Sequence, residues 1–126
     1  MSRIAAIQMA SGPNVQSNFD SAIKLIDEAV KKEAELIVLP ENFALMAMTE
    51  EERVSHAEKP GEGIMQDFLA SQAKKHGVWL VGGTIPMMSD IDGKARAACL
   101  LFNDQGEQVA RYDKIHMFDV VLQDNA

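Results

Sequence analysis

The chain has 126 residues, with 12 Lys or Arg against 19 Asp or Glu, and so carries a net charge of −7 at pH 7. A compact chain of this length buries roughly two-thirds of the surface its unfolded form exposes. Its 47% hydrophobic content supplies the side chains for that core, which excludes disorder as the default. The acidic balance excludes a nucleic-acid scaffold, because the basic residues are scattered apart from Lys31-Lys32 and Lys74-Lys75 and cannot neutralise a run of phosphates.

No apolar run approaches the ~18 residues that cross a bilayer, and Met1-Ser2-Arg3 leads straight into a strand-like run without a signal-peptide core. The lone cysteine, Cys99, cannot form an internal disulfide. A reducing cytoplasm is the simplest compartment consistent with that.

Ile4 to Met9 is a short apolar run closed by the turn residues Ser11-Gly12-Pro13-Asn14, and it reads as a buried strand followed by a loop. Phe19, Ala22, Ile23, Ile26, Ala29 and Val30 then recur at helical spacing, which predicts an amphipathic helix over residues 18–33, started by Ser17 and Asp20. Leu36-Ile37-Val38-Leu39 is a second buried strand, ended by Pro40. Strand, helix and strand make a β-α-β unit whose strands should be parallel neighbours.

Thr49 and Glu52 offer a capping box over a short charged helix at residues 49–57, which Lys59-Pro60-Gly61 breaks. Ile64, Phe68, Leu69, Gln72 and Ala73 mark another helix that should stop at Gly77. Residues 78–87 are strand-like around Gly82-Gly83, and Asp92-Gly93 is a hairpin signal. Ala95 to Phe102 is a strand apolar on both faces, and a third strand, Gln108 to Tyr112, follows the turn residues Asp104-Gln105-Gly106-Glu107. These three strands should form an antiparallel meander, so the chain reads as one continuous α/β unit with a mixed sheet.

Glu41 stands at the carboxyl end of the second strand, where open α/β sheets gather ligand-contacting groups. Emerging from apolar residues, its carboxylate would be partly desolvated and suited to take a proton; the alternative is a solvated loop acid or a cap. Lys114 lies just past the last strand, where it either stabilises a developing oxyanion or pairs on the surface with Asp113 or Asp119. His116 is either a proton shuttle or a structural hydrogen-bonding group. His56 and His76 fall on predicted helices without ligand spacing, so no metal site is expected.

Cys99 sits mid-strand among apolar residues, a setting for a buried structural cysteine rather than a reactive thiolate. Neither Gly61-Glu62-Gly63 nor Gly82-Gly83 completes a nucleotide-binding glycine fingerprint, and the methionines read as core or pocket filler.

Three segments taken together carry a family resemblance: Ile4-Ala5-Ala6-Ile7-Gln8-Met9, Leu39-Pro40-Glu41-Asn42-Phe43, and Tyr112-Asp113-Lys114-Ile115-His116-Met117-Phe118-Asp119. Their order and spacing, with Val81-Gly82-Gly83-Thr84 between, resemble the nitrilase superfamily of carbon-nitrogen hydrolases, closest to its branch of deaminated glutathione amidase and omega-amidase.

The resemblance implies an α/β fold, the α-β-β-α sandwich of the nitrilase type, with residues 1–126 as the N-terminal part of a single carbon-nitrogen hydrolase domain. It implies hydrolysis of a small carboxamide by a Glu-Lys-Cys triad without metal or organic cofactor. Glu41 matches the general base and Lys114 the lysine that stabilises the tetrahedral intermediate. The family's nucleophilic cysteine, and a further assisting glutamate, would fall beyond Ala126, since Cys99 precedes Lys114 and matches no nucleophile motif. The implied partner is a small-molecule amide, with no nucleic acid or membrane, in a cytoplasmic homo-oligomer. A chain with two of the three catalytic groups is expected to be inactive alone. The alternative is a non-catalytic truncated or split-gene product that acts as a binding or assembly partner.

Overall fold

The computed structural model describes residues 2–114; His116, Phe118 and Asp119 of the lysine segment lie outside the described residues. One mixed sheet organises the chain. Strands β1 (Ile4–Ala6), β2 (Leu36–Val38) and β3 (Trp79–Val81) run parallel, with Ile4, Leu36 and Trp79 in register. Strand β5 (Ala95–Phe102) then pairs antiparallel with β3 and with β4 (Ile85–Met88) along one edge, and with β6 (Gln108–Asp113) along the other. The expected β-α-β unit and the expected meander therefore share one sheet.

β3 and β4 are two halves of one strand along β5, broken at Gly82-Gly83-Thr84. Val81 pairs Leu101, but Ile85 pairs Ala98, so the register slips by one residue across the break. An extra residue in one strand of an antiparallel pair is a bulge, which bends the strand and re-aims what lies beside it. Here the bend carries Gly83 against the backbone of Pro40, at the end of β2. A Cβ on Gly83 would collide with the Pro40 carbonyl, and Gly83 has φ +62°, so both space and backbone conformation call for glycine.

Helix α1 (Val15–Lys31) begins earlier than its spacing predicts. Asn14, in extended conformation, accepts a hydrogen bond from the Ser17 N–H and is the cap in place of the Ser17 and Asp20 pair. Asn18 is consequently inside the helix and buried, bonding the backbone of Gly12 and Ala44. Helix α2 (Glu50–Ser55) has Thr49 as its expected cap, with Glu52 reaching back to the Met48 N–H. Helix α3 (Ile64–His76) stops at Gly77 in the left-handed conformation, as expected.

At its other end α3 starts on Gly63 without a local side-chain cap. Glu58, buried and remote, accepts from Met65 N–H, Gln66 N–H and the Gln66 side chain instead.

α1 and α3 cover one face of the sheet. Phe19, Ala22, Ile26 and Ala29 of α1 and Phe68, Leu69 and Ala73 of α3 close over Ile37, Leu80 and Leu100. The Phe19 and Phe68 rings stack with centroids 4.2 Å apart, and Phe43 joins them from the loop after β2.

The opposite face corrects the expectation of strands buried on both sides. Ile4 is 64% exposed, Trp79 41% and Tyr112 60%, while Leu36, Val38, Val81, Cys99 and Leu101 are half-buried. Alternation sends these side chains away from α1 and α3, and no element among the described residues covers them.

Candidate active site

The turn that carries Glu41 is built by its neighbours rather than by its own side chain. Phe43 N–H bonds the Pro40 carbonyl, closing a turn over Glu41 and Asn42. Asn42 takes the left-handed conformation, φ +57°, which an asparagine tolerates better than most residues. Its N–H donates to the Thr84 hydroxyl at 2.9 Å, and Gly83 packs beneath Pro40. The parallel pairing of β2 and β3 thus continues into a contact between the Glu41 turn and the bulge.

Lys114 arrives from the other side. Its N–H bonds the Ala97 carbonyl, which continues the pairing of β6 with β5 by one residue. Its Nζ lies 2.7 Å from Glu41 Oε2, across 73 residues of sequence. Of the two surface partners considered for Lys114, Asp113 is engaged by Arg111 at 2.7 Å and Asp119 lies outside the described residues.

The Glu41 side chain is 55% exposed and that of Lys114 42% exposed, so the expected partial desolvation of the carboxylate is absent among the described residues. The cause is geometric. Glu41 lies beyond the strand end, past the cover that α1 and α3 give to Leu39. At this exposure the pair contributes only about 0.2–1 kcal/mol to stability. The pair places a carboxylate and an ammonium side by side.

The pair borders a cleft of about 560 Å³ and, on the open sheet face, a groove of about 350 Å³. The cleft is lined by four cations, Arg53, Lys94, Arg96 and Lys114, against the carboxylates of Glu41 and Glu50. That is a cationic wall on a chain whose net charge is −7. Arg53 is fastened, donating to the Ala95 carbonyl at 2.9 Å and to Glu50 at 3.3 Å, whereas Arg96 makes looser contacts to Asp90 and Asp113 at 3.6 and 3.9 Å. Lys94 and Arg96, two residues apart at the start of β5, share a strand face, but nothing in the sequence signals that Arg53 of α2 joins them.

Cys99 lines the groove near Lys114, and burial pushes its thiol above the ordinary cysteine value. A nucleophilic cysteine needs the opposite shift, toward thiolate. His56 Nδ1 is 2.9 Å from the Glu52 carbonyl of the helix it ends, and His76 Nε2, at the end of α3, is 3.3 Å from Asp27 of α1 without hydrogen-bond alignment. Among the described residues no three His, Cys, Asp or Glu side chains form a group that would hold a metal ion, and no helix is long and apolar enough to cross a membrane.

The carbon-nitrogen hydrolase family profile matches residues 3–126. The chain belongs to the carbon-nitrogen hydrolase family. It is 42% identical over 119 residues to nitrilase homolog 2 of Dictyostelium discoideum, covering 94% of this chain and 35% of that protein. It is 37% identical over 125 residues to the deaminated glutathione amidase of Yersinia enterocolitica, covering 96% of this chain and 42% of that protein.

Among solved structures it resembles Nit3 of Saccharomyces cerevisiae, a nitrilase-superfamily protein, with a TM-score of 0.81 and 28% identity over 93% of this chain and 45% of that one. The chain therefore spans less than half the length of each of these relatives. Its mixed sheet with helices on one face corresponds to that share of the nitrilase α/β fold.

Proposed function

We propose that residues 1–126 are the N-terminal part of a single carbon-nitrogen hydrolase domain that hydrolyses a small carboxamide, with Glu41 as general base and Lys114 as the cation facing the tetrahedral intermediate. The observation that carries this reading is the 2.7 Å contact of Lys114 Nζ with Glu41 Oε2, beside a cleft large enough for a small molecule. The relatives' names support an amide as substrate. The cationic wall supports one that also bears a carboxylate, and the lone cysteine supports a reducing, cytoplasmic setting.

In this mechanism the nucleophile is a cysteine contributed by the rest of the domain, since Cys99 sits in the middle of β5 and burial raises rather than lowers its thiol pKa. Glu41 takes the proton of the attacking thiol, sulfur adds to the amide carbon, and the negative charge that appears on oxygen meets the Lys114 ammonium. Collapse expels the amine, which receives the proton held by Glu41, and leaves a thioester. Glu41 then deprotonates water, whose addition and the departure of the thiolate release the acid. The lysine cation accelerates the reaction because it meets charge that exists only after attack.

The test is ammonia release by this chain alone and by the enzyme assembled from it and the cysteine-bearing remainder. The chain alone should be inactive, and in the assembled enzyme Glu41→Gln and Lys114→Met should each lower kcat by at least ~100-fold. Ordinary kinetics in either variant refutes its assigned role, and turnover by the chain alone that Cys99→Ala abolishes would make Cys99 the nucleophile. The second reading, a non-catalytic assembly partner, is favoured by the open apolar sheet face; association with the remainder without turnover would select it.

A further inference from the structure

The Glu41 carboxylate is not held by packing. Its side chain is more than half exposed, and its one polar contact among the described residues is to the flexible end of Lys114. What fixes its direction is the backbone turn, and that turn rests on the bulge. Asn42 is in a conformation that L-residues avoid, and its N–H is satisfied by the Thr84 hydroxyl at 2.9 Å. The same hydroxyl faces Asn42 Oδ1 at 3.4 Å, so one side chain engages both backbone and side chain of the residue after Glu41. Gly83, the residue before Thr84, has no room for a Cβ because the Pro40 carbonyl, just before Glu41, occupies it. The two residues flanking Glu41 are therefore gripped by two consecutive residues of the bulge.

We propose that Thr84 is a positioning residue that aims the Glu41 carboxylate by holding Asn42, with Gly83 admitting the close approach that makes the contact possible. This rests on the reading of Glu41 as the base. Without the hydroxyl, the Asn42 N–H loses its acceptor and the turn can rotate about Glu41. A base displaced by about 1 Å loses on the order of 100-fold in rate, because proton transfer needs a near-attack geometry.

The test uses the assembled enzyme. Thr84→Val keeps the shape and removes the hydroxyl; it should lower kcat about tenfold or more with KM changed less than about twofold, and Thr84→Ser should restore most of the loss. If Thr84→Val does not fold, Thr84→Ala removes the same hydroxyl without added bulk and carries the same expectation. The deciding measurement is the double variant: in a Glu41→Gln background Thr84→Val should cost nothing further, since there is no base left to aim.

A full Thr84→Val effect in that background overturns the proposal, because Thr84 would then act elsewhere. Unchanged kinetics for Thr84→Val beside an inactive Glu41→Gln also overturns it while leaving Glu41 as base. Unchanged kinetics for Glu41→Gln removes both.

Discussion

Replacing Gly83 with alanine tests whether the bulge and the Glu41 turn are in contact. Two costs add. A non-glycine residue at φ +62° pays about 1–2 kcal/mol for the left-handed conformation. The new Cβ also meets the Pro40 carbonyl and the Leu39 carbonyl, which are backbone atoms and cannot swing aside as a side-chain end could. Forcing such an overlap costs typically about 1–3 kcal/mol more, so the total is about 2–5 kcal/mol.

Gly77→Ala is the matched control. It has the same φ, +62°, but nothing within 4 Å of its Cβ position, so only the conformational cost applies. Urea unfolding followed by the fluorescence of Trp79, the only tryptophan, measures both. With a urea slope of about 1–3 kcal/mol per molar, the Gly83→Ala midpoint should lie roughly 1 M below that of Gly77→Ala. Equal midpoints would show that Gly83 does not touch Pro40, and would remove the link between the bulge and the Glu41 turn.

Glu58→Ala strips the acceptor from the buried N–H groups of Met65 and Gln66 and should destabilise the chain by about 2–3 kcal/mol in calorimetry; an unchanged melt would show that α3 needs no remote cap. Cys99 should alkylate more slowly in the folded chain than in urea at pH 8, because burial raises its thiol above the ordinary cysteine value. Since the folded state holds that proton more tightly than the unfolded state, the associated stability is fully present below the ordinary cysteine pKa and lost as pH rises through the folded value; Cys99→Ser should flatten that loss, and an unchanged loss in the variant would assign it to other groups. Finally, the apolar face bearing Ile4, Trp79 and Tyr112 should bind a hydrophobic dye or drive self-association of the chain, and a dye-negative, sharply melting monomer would show that face to be covered.

Local chemistry in the sequence determined where most elements lie. Apolar spacing places α1, Thr49 and Glu52 start α2, Gly77 stops α3, and the paired turn signals separate the strands of the meander, because each depends on residues within a few positions of one another. Boundaries were less legible: the first strand is shorter than its apolar run, the strand over residues 78–87 is split into β3 and β4, and α1 starts early because Asn14, in extended backbone, is its cap in place of Ser17. Glu41 and Lys114 were legible as candidates from strand ends and from family resemblance, but their 2.7 Å contact was not, since 73 residues separate them and only the order of strands brings them together.

The tertiary structure alone decided three further things. It brought Arg53 of α2 to the cleft wall that carries Lys94 and Arg96. It turned Gly82-Gly83-Thr84 from a motif into a bulge that grips the Glu41 turn. It also showed that strands apolar on both faces have only one face covered among the described residues, because sequence alternation states which side chains are apolar but not what packs against them.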